Sequence, residues 1–466
     1  MKIQPIILLM IFVVVGYFLF GNTLHYYFVS DDFIWLYNAK NDTYEDLLRY
    51  AIDAQGFFYR PFTETYFYFM WRWFGADPYP YHVVNILLHF FNSLVVYFLS
   101  LAILNKFYTA SSRTKKSFFA CVTALLFFVH PVHQENILWI SAVTELFPAA
   151  FLLSALLIFV KGLSPGKLSS FNTILLFLLF ILGLMSHEYA VIFPVLLYLT
   201  EYFVTKKLKP LHKGFYLGLI VIDCVYLLVR AQANAHWSGG DYSYNLARLP
   251  FNFIGNSIGY IGLNVIGVPF VYLYQNVRNV MRDNLLLSGL LLLILIAGCF
   301  YIVRIARRNY LEDVGNSQSE RLLLYLALFF FVSLLPFLGL GGIAERYLYL
   351  PSFSFLLFLS LFLYWVIRYF DIPAKQYKIW YYSLISLLCI LYIYNAKVDQ
   401  NDWRLASDFV YNRLGEFRDH CSSFSEGEKL SRLSPPNRVG RAWVFQVGYE
   451  QGANVLCDKK ITILLK

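Results

Sequence analysis

Asp31 and Asp32 stand side by side in the run Tyr27-Phe28-Val29-Ser30-Asp31-Asp32-Phe33, just after the first apolar stretch of a 466-residue chain. A carboxylate within hydrogen-bond reach of an attacking hydroxyl can take its proton, so a paired acid at this place is a candidate for general-base work. Other chemistry-bearing residues recur in short groups. Arg60 lies in Phe58-Tyr59-Arg60-Pro61-Phe62, and His82, Asn85 and His89 follow it. The run His130-Pro131-Val132-His133-Gln134-Glu135-Asn136 precedes Glu145, which sits inside an apolar segment; Ser186-His187-Glu188-Tyr189 and Ala344-Glu345-Arg346-Tyr347 complete the set. Arginine suits an anionic leaving group such as a phosphate, through its charge and its planar fork of donors. His130 and His133, three residues apart, are of a type that can ligate a divalent cation, although histidines satisfied by backbone are commoner in this setting. Structural readings stand beside these: a solvated acidic pair at a helix end, Arg346 snorkelling from its span, Arg60 as a loop anchor, and Glu188 as a turn at headgroup level.

The elements that must hold these side chains are membrane helices. With 59% hydrophobic and 14% charged residues, and a mean hydropathy of +0.55, the chain carries more apolar surface than a soluble core can hide. The apolar runs lack the alternation of barrel strands, and backbone amides in hydrocarbon need partners within their own segment. The fold class is therefore all-α and polytopic. Apolar segments fall at 6–24, 83–104, 118–129, 137–160, 171–185, 189–204, 214–230, 251–274, 285–303, 323–341, 346–367 and 379–396. The first is read as a span and not as a cleaved leader, because it is long, weakly basic at its start and without a small-residue cleavage site. The segment 118–129 is short, and its helix is expected to continue toward Ile140 or to cross a thinned region.

The net charge of +9 comes largely from short loops between apolar segments, where Lys and Arg orient the chain; it is no sign of a nucleic-acid partner. Lys106, Arg113, Lys115 and Lys116, then Lys161 and Lys167, then Lys206, Lys207, Lys209 and Lys213, alternate correctly if the N-terminus is cytoplasmic. Counting 251–274 as a full span would put Arg304, Arg307, Arg308 and Arg321 outside. A re-entrant or interfacial helix restores the pattern, and Asn252, Asn256 and Asn264 fit a helix lining a cavity. About eleven spans follow, with the C-terminus outside. The transmembrane domain covers 1–396, with a large outer loop at 25–82. A small outer-face α/β appendage covers 397–466, with a strand expected at 442–447. Cys421 and Cys457 lie in that appendage, in an oxidising compartment, and are expected to be joined, closing a loop of roughly 36 residues. Nearly all of these acid, histidine and arginine groups fall in outward loops, which points to one active site on the outer face.

At these residues the chain resembles a known family. His-Pro-Val-His-x-Glu at 130–135, Tyr-Arg-Pro at 59–61 after an acidic pair, Tyr81-His82-Val83-Val84-Asn85-Ile86-Leu87-Leu88-His89, and Ala-Glu-Arg-Tyr-Leu-Tyr-Leu-Pro-Ser from Ala344 are similar to the transmembrane part of the transmembrane-and-TPR O-mannosyltransferases and their bacterial relatives, of the GT-C superfamily. The resemblance covers roughly 20–395, each motif being moderately specific and the four in order strongly so. Where the family often has Lys before the acid that aligns with Glu188, this chain has His187; where it often has Arg, this chain has Val143. No TPR array follows the spans here, so the family's protein acceptor is not carried over.

The resemblance implies a GT-C-type enzyme that transfers a sugar from a polyprenyl- or dolichyl-phosphate donor on the non-cytoplasmic face to a protein hydroxyl, glycan or lipid. It implies Asp31 as base, with Asp32 positioning or binding sugar. It implies Arg346 as the first choice for the donor phosphate and Arg60 as the second, with His82, His130, His133, Glu135, Glu145, His187, Glu188 and Glu345 around the acceptor and sugar. No cofactor is required, and a divalent cation is possible. The expected location is a bacterial inner membrane with a periplasmic site, or an ER membrane with a lumenal one. A lipid-linked glycan flippase or transporter, or a glycan polymerase or ligase, is the alternative. A flippase should show midplane charges or a repeat of halves, and neither is evident.

Overall fold

The computed structural model describes residues 3–54, 58–108, 111–163, 168–233, 235, 244–245, 248–267, 270–284, 290, 317–369 and 373–466. The chain is an all-α polytopic membrane protein with very little strand. Among the described residues seven helices are long and apolar enough to cross a membrane: Ile6–His25, Pro78–Phe107, Ile140–Gly162, Glu188–Thr205, Lys213–Gln232, Gln318–Leu338 and Gln376–Arg418. Arg113–Val129 and Pro131–Leu138 make an eighth if the pair, bent by 50°, is one broken span. This is fewer than the roughly eleven spans expected from hydropathy. Ser170–Ser186 and Ser352–Ile367 are apolar but shorter helices. The expected span at 285–303, Leu290 excepted, and Arg304, Arg307, Arg308 and Lys167 lie outside the described residues.

Local chemistry sets the helix ends near the site. The 30-residue helix Pro78–Phe107 begins with proline at its first position, where no amide donor is needed, and Asp77 accepts from Tyr79 N at 3.1 Å. The short apolar segment 118–129 does continue, but through a break. His130 precedes proline and is pushed to extended backbone (φ −66°, ψ 126°), which ends the Arg113–Val129 helix. A 3₁₀ turn Pro131–His133 and the short helix Gln134–Leu138 follow at the new angle.

The expected re-entrant segment 251–274 is two helices, Leu249–Ile266 and Phe270–Asp283, parted at Gly267. Gly267 has φ +83°, and an added Cβ would come within 2.8 Å of the Pro131 ring, so glycine permits both the turn and the close approach. Asn252 and Asn256, expected to line a cavity, are bonded to neighbouring backbone. Asn252 donates to Gly339 O, and Asn256 to Leu338 O and Leu340 O, at 2.9–3.1 Å. They satisfy carbonyls at the end of Ser317–Leu338, where the helix has no partners of its own.

The helix Ala374–Arg418 has 45 residues, about 68 Å at 1.5 Å per residue. The expected domain boundary at 396/397 falls inside it. Ala396, Trp403, Ala406, Val410, Leu414 and Phe417 are all buried, and their spacing of three, four and seven keeps one apolar stripe across the polar transition. Beyond it, Lys429–Arg432 pairs in parallel with Thr462–Leu465, and Arg438–Val439 pairs antiparallel with Ala442–Trp443. The strand expected at 442–447 is only Ala442–Trp443, because Val444 turns away: its N–H goes to Asn437 O and its carbonyl accepts from Ser30 N. A helix Tyr449–Cys457 follows, and Cys457 is disulfide-bonded to Cys421 with Cα atoms 4.9 Å apart.

Candidate active site

The loop carrying the acidic pair is held at every step. His82 Nε2 meets Tyr26 O at 2.9 Å, tying the start of Pro78–Phe107 to the exit of the first span. Tyr27 N donates to Ser407 Oγ at 2.7 Å. Ser30 takes a left-handed backbone (φ 48°), uncommon for a residue with a side chain, and its N–H donates to Val444 O at 2.7 Å. Gly448 lies against the same loop: an added Cβ would stand 2.3 Å from Ser30 O, at a φ of +85°. The C-terminal segment 437–448 is thus part of the loop's support, and holding Ser30 in this strained region offsets a cost on the order of 1–3 kcal/mol.

The two aspartates differ sharply. Asp32 is 1% exposed; its Oδ2 accepts from Val29 N at 2.9 Å, and its Oδ1 from both Ser141 N, at 2.7 Å, and Ser141 Oγ. Burial pushes its carboxyl up to about 7, against those donors, and the Asp31 charge adds to the rise. Asp31 is partly buried at the start of helix Asp32–Asn41, and its carbonyl accepts from Ile34 N and Trp35 N. Asp32 therefore pins the loop to Ser141 with both oxygens engaged inside the protein, and Asp31 is the more accessible acid.

Ser141 lies in the sequence between Glu135 and Glu145, each of which belongs to an ionic cluster. On one side, in the helix Val143–Gly162, Glu145 Oε1 is 3.2 Å from His187 Nε2, both residues being buried. Arg60 Nη2 is 2.9 Å from the same nitrogen. Arg60 also grips Glu188 with Nε and Nη2, each at 3.0 Å, and stacks its guanidinium 4.0 Å from the Phe58 ring centre. Arg230, buried in Lys213–Gln232, adds a second positive charge near Glu188. Arg60, expected as a second phosphate ligand, thus has its fork committed to Glu188.

On the other side, in Gln134–Leu138, Glu135 accepts from Arg346 Nη1 at 2.8 Å, from Arg346 N at 3.0 Å and from Trp443 Nε1 at 3.0 Å. The Arg346 guanidinium lies 4.8 Å from the Tyr347 ring centre and 5.5 Å from that of Trp139. Glu345 is ion-paired with Arg441, whose Nη1 is also 3.4 Å from Asp399 Oδ1. Arg438 lies 3.4 Å over the Trp443 ring. Glu135, Glu345, Asp399, Arg438 and Arg441 border a cavity of about 250 Å³ that Gln275 and Ala344 also line.

His130 and His133 act as braces. His130 Nε2 meets Asn264 O at 3.1 Å and its Nδ1 accepts from Val132 N; His133 uses Phe127 O and Ser352 Oγ, each at 2.9 Å. These bonds brace the Pro131 turn, in the segment expected to shape the acceptor site. Among the described residues no group of three or more His, Cys, Asp or Glu side chains is placed to hold a metal ion. Sequence reasoning missed Asp399, Arg438, Arg441, Trp443 and Arg230. The signal available was Arg438-Val439-Gly440-Arg441-Ala442-Trp443, two arginines and a tryptophan in an otherwise ordinary polar tail.

No family model matches the chain. Two curated proteins are similar to part of it: Protein O-mannosyl-transferase TMTC1 of Mus musculus, 30% identical over 160 residues, which are 32% of this chain and 16% of that protein, and Protein O-mannosyl-transferase Tmtc3 of Drosophila melanogaster, 29% identical over 169 residues, which are 33% and 18%. The chain spans less than a fifth of the length of either relative. The archaeal oligosaccharyltransferase AglB from Archaeoglobus fulgidus, solved with an inhibitory peptide and a dolichol-phosphate, superposes with a TM-score of 0.50 at 13% identity, over 99% of this chain and 64% of that one. ArnT from Cupriavidus metallidurans, solved with undecaprenyl phosphate, gives a TM-score of 0.44 at 11% identity, over 97% and 89%. The chain shares its overall fold with AglB.

Proposed function

We propose that this protein transfers a sugar from a polyprenyl-phosphate-linked donor to an acceptor hydroxyl, at the non-cytoplasmic end of the bundle where the Asp31–Asp32 loop lies. The observation that carries the reading is the pinning of Asp32 to Ser141, which sets the accessible Asp31 beside a hinge flanked by the Glu145–His187 and Glu135–Arg346 clusters. The names of the relatives, and the dolichol-phosphate bound to AglB, support the same chemistry.

In this mechanism the acceptor oxygen attacks the anomeric carbon as its proton passes to the Asp31 carboxylate. The bond from that carbon to the donor phosphate oxygen breaks, and its electron pair leaves with the lipid phosphate. Arg346 receives the growing charge, with Arg438 and Arg441 bordering the adjacent cavity. Glu135 holds the Arg346 fork in place before the reaction, and Trp443 holds Glu135. Asp31 then gives its proton to water. Arg60, Glu188, His187 and Glu145 form a rigid ionic wall that orients the acceptor side. The acceptor itself is a hydroxyl of a protein, glycan or lipid.

The test offers purified protein in lipid nanodiscs a panel of labelled polyprenyl-phosphate sugars alongside the matching nucleotide sugars. Consumption of a lipid-phosphate sugar with release of polyprenyl phosphate is expected. Turnover of nucleotide sugars alone contradicts the proposal.

A further inference from the structure

A second polar cavity lies at the far end of the same helices. The helix Pro78–Phe107 carries His82 near the acidic loop and Leu104 at the other cavity, about 33 Å away at 1.5 Å per residue. This cavity has a volume of about 340 Å³, at the lower end of the range for small-ligand sites. Lys116 lines it and is only 8% exposed. Among the described residues no carboxylate pairs with Lys116; Glu320, in the first turn of Ser317–Leu338, is exposed and forms no ion pair with it. A buried ammonium without a counter-charge is costly, which is why such groups are normally paired or meet an anion.

The rest of the lining mixes polar and apolar groups. Lys115 lies 4.7 Å over the Tyr364 ring centre, and Ser111 and Ser319 add hydroxyls at the same wall. Leu323, Leu361 and Trp365 add apolar surface to the lining, and Trp365, at 47% exposed, continues onto the outer surface of the bundle. Cationic groups beside an apolar wall at a span end match a phosphate headgroup whose hydrocarbon runs along the protein. A free anion would find half of this site useless.

We propose that this cavity is a binding site for the phosphate of an anionic membrane lipid, with the headgroup between Lys115 and Lys116 and a chain against Leu361 and Trp365. It is distinct from the Asp31 site in place and in chemistry. By the Lys and Arg distribution it faces the cytoplasmic leaflet, where anionic lipids attract basic residues.

The test is native mass spectrometry of the full-length protein, delipidated in detergent and titrated with phosphatidylglycerol, phosphatidylcholine or inorganic phosphate. Phosphatidylglycerol should bind on the order of ten-fold more tightly than phosphatidylcholine, and Lys116→Met and Lys115→Gln should each abolish most of that preference. Because Lys116→Met removes a buried charge, its delipidated form should melt no lower than the parent, and phosphatidylglycerol should no longer raise its Tm. The exposed Lys115→Gln variant keeps the test open should Lys116→Met fold poorly. Equal phosphatidylglycerol binding in the parent and the variants overturns the proposal. So does full competition by millimolar inorganic phosphate, which would assign the pocket to a free anion.

Discussion

At the scale of single residues, the acidic pair divides its labour by burial. Asp32 accepts three hydrogen bonds and Asp31 is left the less buried of the two. In Asp32→Asn the amide oxygen can still take both Ser141 donors, but its NH₂ group would face Val29 N–H. That leaves a buried donor unsatisfied, at a cost of about 1–3 kcal/mol. The pH dependence has a definite sign. Burial raises the Asp32 carboxyl to about 7 from an ordinary 3.8, so between those values the folded protein holds a proton that the unfolded chain releases. Stability from this group is then lost as pH rises through the window. The Asn variant should melt below the parent at pH 5, with the gap narrowing by pH 8; a gap that does not change between the two would show that Asp32 does not titrate there. Arg346 gives a second residue-level expectation. Arg346→Ala would leave Glu135 buried with its main counter-charge gone, costing about 3–5 kcal/mol, so donor binding is better read in Arg346→Lys. The lysine keeps the charge and loses the fork, and KM for the lipid donor should rise by on the order of ten-fold with kcat falling less. An unchanged KM would take Arg346 off the phosphate.

At the scale of elements, the piece from His130 to Glu145 is the organiser. Its Pro131 break, the Ser141 hinge and two short helical turns place Glu135 and Glu145 in opposite clusters. This much was legible, because Pro131 and the ionisable residues inside an apolar run are local signals in the sequence. The tail was less so. Its change to polar composition after about residue 397 suggested a separate appendage, yet the Ala374–Arg418 helix runs straight through and carries the strap of Arg438, Arg441 and Trp443 back over the site. Contacts such as Trp443 to Glu135 join residues 308 positions apart, and no local pattern marks such a pairing. The re-entrant segment was half legible: its asparagines announced a polar partner, but the partner is the carbonyl end of a neighbouring helix and the break at Gly267 carries no periodicity signal. The strap gives a test of its own. Gly448→Ala forces a side chain toward Ser30 O at a backbone angle that favours glycine. It should loosen residues 437–448, speed their proteolysis, and lower turnover by at least about ten-fold through the Ser30–Asp32 loop. Proteolysis that rises with turnover unaffected would make the strap a cover and not part of the site.

At the scale of the whole molecule, the polytopic bundle gathers its ionic clusters at one end and has a lysine-lined cavity at the other. That polarity is testable in cells. Single cysteines at Lys209 should label from the cytoplasmic side, and at Val280 and Asp419 from the opposite side. Lys209 and Asp419 labelling from one side would dissolve the proposed orientation. The central claim, that Asp31 is the base of a sugar transfer from a lipid phosphate, is most directly tested by single-turnover transfer with purified, membrane-inserted Asp31→Asn protein and its labelled polyprenyl-phosphate donor. The expected result is a rate lowered on the order of 10²-fold or more with donor binding retained; transfer at the parental rate by that folded variant would contradict it.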